Sequence, residues 1–198
     1  MKDTSIFRKL LAFIPLAALA ASMNAQIYMA KDCEISFFSA TPVENIQALN
    51  KAAKPILNAG TGDIQVRISI QGFVFPKPLM QEHFNENYLE SDKKPTEVNG
   101  VKVDYAYAFY RGKINEKVDY TIDGVTKVTV TGKITIHGVE KDKNLEGTVT
   151  VKGGQVLLDT KFNLHVADYN IKIPSLVVKN IAEDVEVKMN ATLEPYKK

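Results

Sequence analysis

Four side chains capable of acid, base or metal-ligand chemistry fall at helical neighbour spacings in one short stretch. They are Glu82, His83, Glu86 and Glu90 in LMQEHFNENYLES, residues 79–91. His83 and Glu86 stand at i and i+3, which puts both on one side of a helix. Helical di-metal centres draw carboxylates and histidines from several facing helices, and this chain offers one helix of that kind. The group therefore reads as a solvated acidic face with His83 hydrogen-bonded at its rim, and no metal is expected. His137 and His165 fall on the polar parity of strand-like runs, where exposure accounts for them. Ser36, Ser39 and Ser175 lack a G-x-S-x-G setting, and neither a G-x-x-x-x-G-K-[ST] loop nor H-E-x-x-H occurs. With no prepared nucleophile and no phosphate cradle, neither an enzyme nor a cofactor is expected.

What surrounds these polar residues is more telling. Ile64, Val66, Ile68 and Ile70 alternate with Gln65, Arg67, Ser69 and Gln71, the period of a strand with one dry face. At Gly72 the phase slips, so that Phe73 and Phe75 carry the apolar face on odd numbers; a bulge is the predicted cause. Pro76 and Pro78 stop the ladder. From Leu79 the period is helical, with Met80, Phe84 and Tyr88 four apart on one stripe. The result is a two-turn cap with an aromatic underside, joined to a strand, and that junction shapes a cavity. The plainer alternative is that these aromatics fill a core. Parity tells which residues share a face but not which face is inside.

The elements around the cap are mostly strands. Thr41, Pro42 and Glu44 form a helix-start signal, and Val43, Ile46, Leu49 and Ala53 recur at threes and fours, predicting an amphipathic helix over 42–54. Val103, Tyr105, Tyr107 and Phe109 alternate in an aromatic run, and Val128, Val130, Ile134 and Ile136 keep one parity through Gly132. Leu145 to Val151 and Val156 to Val166 flank Gly153-Gly154, a tight-hairpin signal. Tyr169, Ile171 and Ile173 predict a short strand ended by Pro174, and Val185 to Leu193 alternate as the last one. With Ile35 and Phe37 at the start, about eight strands emerge. An all-β chain of this spacing is a sandwich or a barrel, and closure into an antiparallel barrel removes exposed edges.

Residues 1–25 read as an export signal, since Lys2, Arg8 and Lys9 precede the apolar run 10–20 and small residues lead to Ala25. That run is too short to span a bilayer. Cleavage after Ala25 would leave residues 26–198 as one domain without a transmembrane segment, in the periplasm or secreted; Met23, three residues before the cut, is larger than usual there. Cleavage also removes three of the 25 basic and one of the 23 acidic side chains, leaving 22 of each. A balanced chain with no Lys/Arg cluster interleaved with aromatics excludes a nucleic-acid partner. The single cysteine, Cys33, has no internal partner and no lipobox-like sequence before it, so it reads as a small buried or edge residue.

Three segments carry a family resemblance: LMQEHFNENYLES, SFFSATPVENIQALN (36–50) and DYNIKIPSLVVKNIAEDVEV (168–187). With them, nearly all of the mature chain resembles the exported YceI-like proteins, particularly the branch common in Bacteroidetes. The resemblance implies an eight-stranded antiparallel lipocalin-like barrel, here with two short amphipathic helices, around an apolar channel, and no catalytic motif. It also implies an isoprenoid or other lipid as partner, bound for storage or transport outside the inner membrane. The family commonly has an aromatic before Pro95, where this chain has Lys94, and residues 96–102 look like extra loop. On this reading Phe73, Phe75, Leu79, Met80, Phe84 and Tyr88 form one end of the tunnel. Tyr107, Phe109, Ile134, Ile136, Phe162 and Tyr169 line its walls, with His83 or a tyrosine hydroxyl at the mouth for a polar head group. The rival class is a structural or stress-related interaction module whose barrel is filled.

Overall fold

A computed structural model describes residues 26–40, 45–98, 100–172 and 182–197. The predicted export signal lies outside the described residues. Among them the strands run in chain order as β1 (Ile27–Ser39), β2 (Ile46–Asn50), β3 (Lys54–Asn58), β4 (Asp63–Ser69) and β5 (Phe73–Val74). Helix α1 (Pro78–His83) precedes β6 (Thr96–Val98), β7 (Val101–Val103), β8 (Tyr107–Ile114) and β9 (Gly124–Ile136). Then come β10 (Val139–Asp142), β11 (Leu145–Lys152), β12 (Gln155–His165) and β13 (Asp184–Pro195).

Eight of these strands close an antiparallel barrel in the order β1-β13-β12-β11-β9-β8-β4-β3, with β3 returning to β1. Closure gives each of these eight strands a partner on both sides along part of its length, and alternation decides what goes inside. On β12, Val156 and Leu158 are buried while Leu157, Asp159 and Lys161 face out. β11 and β12 meet at Lys152 opposite Gln155, with Gly153 and Gly154 both at positive φ (57° and 78°), the two-residue turn whose twist matches the strands. At the end of the barrel that holds this turn, Leu57, Val149, Val156 and Leu193 pack at 0–1 % exposure, and the interior is filled.

The opposite half is wider, for a reason visible in the pairing. β1 is 13 residues long; its first residues pair with β3, but Ile35–Ser39 pair with β2 instead. Likewise β9 leaves β11 after Val130, and Lys133–Ile136 pair with β10. On this level β2 thus takes the place of β3 and β10 that of β11, and neither is paired to the next strand round, β4 or β12. Asn50, wholly buried at the end of β2, ties that strand to β4 by its side chain: its Nδ2 donates to the Ser69 carbonyl at 2.7 Å and its Oδ1 accepts from the Ala52 amide at 2.7 Å.

Several expectations change. The helix predicted over 42–54 is replaced by β2 and the start of β3 across residues 46–54, while Thr41, Pro42, Val43 and Glu44 lie outside the described residues. Apolar residues at threes and fours are compatible with either period in so short a run, and β1 supplies a ladder partner for each of Ile46–Asn50. The phase slip before Phe73 is real, but a 3₁₀ turn at Ile70–Gly72 makes it, not a bulge. Gly72 is required by close approach, since a Cβ there would stand 2.9 Å from the Asn50 amide nitrogen. The predicted strand at 169–173 is instead a 3₁₀ turn, Val166–Tyr169, ended by Asn170 in the left-handed region (φ 55°); Ile173 and Pro174 lie outside the described residues. The stretch 96–102, expected as loop, contains β6 and part of β7 as a separate two-stranded hairpin. Of the two short amphipathic helices expected, one is present among the described residues.

Candidate ligand-binding cavity

Where the barrel widens it is hollow, enclosing a cavity of about 600 Å³. Ile35 and Phe37 of β1, Ile134 and Ile136 of β9, Phe162 and Leu164 of β12, and Val185 and Val187 of β13 form its walls with Ile68 and Ile70. The roof is α1 and the π turn that follows it, Phe84–Tyr88, contributing Leu79, Met80, Phe84, Tyr88 and Leu89. Pro78 at the first helical turn suits a start without a donor to lose. In the π turn the Leu89 amide reaches back five residues to the Phe84 carbonyl at 2.9 Å.

Phe84 is the roof's anchor. Its ring stacks on Phe37 at 5.6 Å and meets Phe73 and Phe75 at 5.7 and 5.0 Å, closing one end of the cavity with four aromatic rings. The polar side chains of the same segment fasten it down. Gln81 Oε1 accepts from the Phe75 amide at 3.2 Å, Asn85 Nδ2 donates to the Gln81 carbonyl, Ser91 Oγ donates to Asn85 Oδ1 at 2.8 Å, and Gln71 Nε2 donates to the Ser91 carbonyl. This relay joins the cap to the strand it follows.

Ten of the twelve wall and roof residues predicted from sequence line this cavity: Phe73, Phe75, Leu79, Met80, Phe84, Tyr88, Ile134, Ile136, Phe162 and Tyr169. His83 lines its mouth and is exposed. Tyr107 and Phe109 do not line it. On β8 it is Ala108 and Tyr110 that point inward, and the two predicted aromatics lie on the outer face, with the Arg67 guanidinium 4.8 Å from the Tyr107 ring and that of Arg111 5.2 Å from Phe109. The run YAYAFY is apolar on both parities, so alternation left its inner face undecided, and cation–π cover makes the outer aromatics tolerable. Sequence reasoning missed Phe37, Leu164, Val185 and Val187 among the lining residues; alternation placed Leu164 on the face of the chosen Phe162, but nothing was chosen from the strands of the other three.

The lining is almost wholly apolar. Polar atoms come from Ser39, Lys77, His83, Tyr88 and Tyr169. Burial pushes the Tyr88 phenol up, and burial followed by the nearby Asp168 does the same for Tyr169, so both remain neutral hydroxyls near pH 7. Glu82 and Glu86 are exposed, whereas Glu90 leaves the helical path at φ 50° and turns to Lys93 and His137. The Lys93 hydrogen bond, then that of His137, holds the Glu90 carboxyl below its ordinary value. Among the described residues no group of three or more His, Cys, Asp or Glu is placed to hold a metal ion.

His137 departs from the exposure expected of it. Its side chain is 10 % exposed and packs on Tyr105 at 4.3 Å, with Nδ1 3.2 Å from the Tyr169 carbonyl and Nε2 3.3 Å from Glu90 Oε2. It sits at φ 49° in the β9–β10 turn, so the turn, not strand parity, sets its direction. The imidazole thereby pins the cap's exit and the 166–169 turn to the rim. His165 is 42 % exposed beside Asp184, as parity implies.

The sequence matches the YceI-like domain over residues 34–193. None of the curated proteins compared matches it. Among solved structures, a polyisoprenoid binding domain from Saccharophagus degradans implicated in plant cell wall breakdown superposes with a TM-score of 0.69 at 13% identity, over 85% of this chain and 98% of that one. Burkholderia cenocepacia BcnA gives 0.63 at 17% identity, over 81% and 95%. The Campylobacter jejuni YceI protein gives 0.51 at 14% identity, over 100% and 94%. At such identities these likenesses concern the fold, and they agree with the barrel built above. Its barrel, its capped cavity and the match over residues 34–193 together place the chain in the YceI-like family.

Proposed function

We propose that this protein binds one apolar chain-like lipid of the polyisoprenoid type, without catalysis, in the capped half of its barrel. The observation that carries the reading is the apolar cavity of about 600 Å³, within the range of small-molecule sites. The driving force is removal of apolar surface from water. At roughly 25 cal/mol per Å², burying about 400 Å² of chain yields about 10 kcal/mol before ordering costs. At the low end of those costs, about 4 kcal/mol, about 6 kcal/mol remains, an affinity of tens of micromolar. The S. degradans neighbour, described as a polyisoprenoid binding domain, supports this choice of ligand class. The same description, of a binding domain, supports a carrier or store over an enzyme. The charged, apolar and small-residue order of residues 1–25 supports a site of action in the periplasm or outside the cell.

The filled-barrel alternative describes the end that holds Leu57 and Leu193 but not the capped half. Lipid extraction and mass spectrometry on protein purified from its own membrane-rich source test the proposal. The expected result is an apolar chain at near one equivalent per protein. Protein that carries none, and takes none up when offered prenols in detergent, would sink it.

A further inference from the structure

The cavity does not run the length of the barrel. Beneath it, toward the packed end, lies a separate void of about 70 Å³. Five side chains, one from each of β1, β4, β9, β12 and β13, border both spaces: Ile35, Ile68, Ile134, Phe162 and Val187. They form a belt across the interior. Ile35 and Ile134 are each 3 % exposed, and the half-buried Ile68, Phe162 and Val187 pack against the same core. Below it Tyr110 is held in place by its hydroxyl, which donates to the Lys143 carbonyl at 3.0 Å with the Val130 carbonyl 3.3 Å away as the alternative acceptor, so the floor has little freedom to retreat.

We infer that this belt is a length stop, limiting the buried part of a bound lipid to about five isoprene units. The inference rests on the lipid-binding reading above and adds the size of chain selected. An apolar cavity of about 150 Å³ accommodates benzene, or about 25 Å³ per carbon. By that measure a space of about 600 Å³ holds about 24 carbons. Shorter chains leave it part-filled; in longer ones every carbon past the limit stays at the mouth in water and gains nothing.

The test offers delipidated protein polyprenols of three to eleven isoprene units from detergent micelles and measures relative affinity by native mass spectrometry. Up to the limit, affinity referred to the aqueous prenol, after correction for each prenol's partition into the micelles, should rise by about fourfold per buried methylene equivalent. Beyond five units the gain per unit should fall below twofold. The double variant Ile134→Ala/Phe162→Ala opens the belt into the lower void and frees room for about twelve carbons, which should move the plateau outward by about two units. Circular dichroism establishes that this variant is folded; Phe162→Leu, a milder opening, should move the plateau by less than one unit. If neither variant folds, the native series decides alone. Affinity that climbs evenly to eleven units overturns the stop while leaving lipid binding intact, and so does a folded double variant with the native plateau. Failure of the native protein to bind any prenol overturns both readings.

Discussion

Replacing Phe84 by aspartate separates a cavity cap from a core residue. The substitution removes three ring contacts, with Phe37, Phe73 and Phe75, each worth about 0.5–1.5 kcal/mol. It also adds a carboxylate, which in a dry core without a partner costs several kcal/mol more. Phe84, however, is half-buried and faces a cavity of about 600 Å³ that opens at its mouth, so water can reach the new charge. The loss should therefore stay near the aromatic contribution, about 3 kcal/mol, which for a domain of this size lowers Tm by about 6–12 °C. Leu57→Asp is the control. That side chain is 0 % exposed in the filled half, no water can follow the charge, and the domain should fail to fold. Circular dichroism melting and lipid extraction are to be run on the same samples. The expected outcome for Phe84→Asp is a folded β protein without its lipid. A folded variant that still carries lipid would remove the cap from the site, and collapse as complete as that of Leu57→Asp would mean the capped half is a packed core.

Tyr107→Ser and Phe109→Ser, on the outer face, should leave copurified lipid unchanged, whereas Ile136→Asp on the cavity wall should abolish it; equal loss from both would refute the inward assignment of Ala108 and Tyr110. Stability should fall as pH rises from about 9 to about 12, read as urea midpoints. Burial pushes the Cys33 thiol up from 9.0 to about 11 and the Tyr110 phenol from 10.0 to about 12, and burial with Tyr28 beside it does the same for Tyr120. In that window the native state holds protons that the unfolded chain releases, so each group weakens the fold by up to about 1.4 kcal/mol per pH unit; constant midpoints to pH 11 would contradict this. For the same reason Cys33 should resist alkylation at pH 8 in the folded protein, and rapid labelling would show the thiol is not buried. His137→Ala removes the contacts to Glu90 and the Tyr169 carbonyl, and should raise hydrogen exchange at residues 84–93 severalfold while β11–β13 stay protected; uniform exchange across the barrel would deny that His137 pins the rim.

Strand alternation, turn chemistry and the proline pair were readable from the residues alone because each is a short-range constraint. β9, β12 and β13 keep one buried parity through most of their length, and Gly153-Gly154 makes the hairpin its dipeptide implies. The stripe of Met80, Phe84 and Tyr88 likewise follows from helical spacing, and all three line one cavity. What lay beyond reach depended on partners distant in the chain. Residues 46–50 are a strand because β1 has an open edge beside them, and Asn50 is tolerable inside because the Ser69 carbonyl, nineteen residues on, meets its amide. The inner face of YAYAFY was undecided until Arg67 and Arg111 covered the outer rings. His137 looked like a solvated strand residue until the turn at φ 49° aimed it at Glu90, 47 residues away. Above all, parity assigns residues to an interior without giving that interior a volume. Whether apolar faces meet or stand apart is set by how distant strands pair at each level: where β2 and β10 take the places of β3 and β11 without pairing to β4 or β12 the barrel is hollow, and where the eight strands pair all round it packs shut.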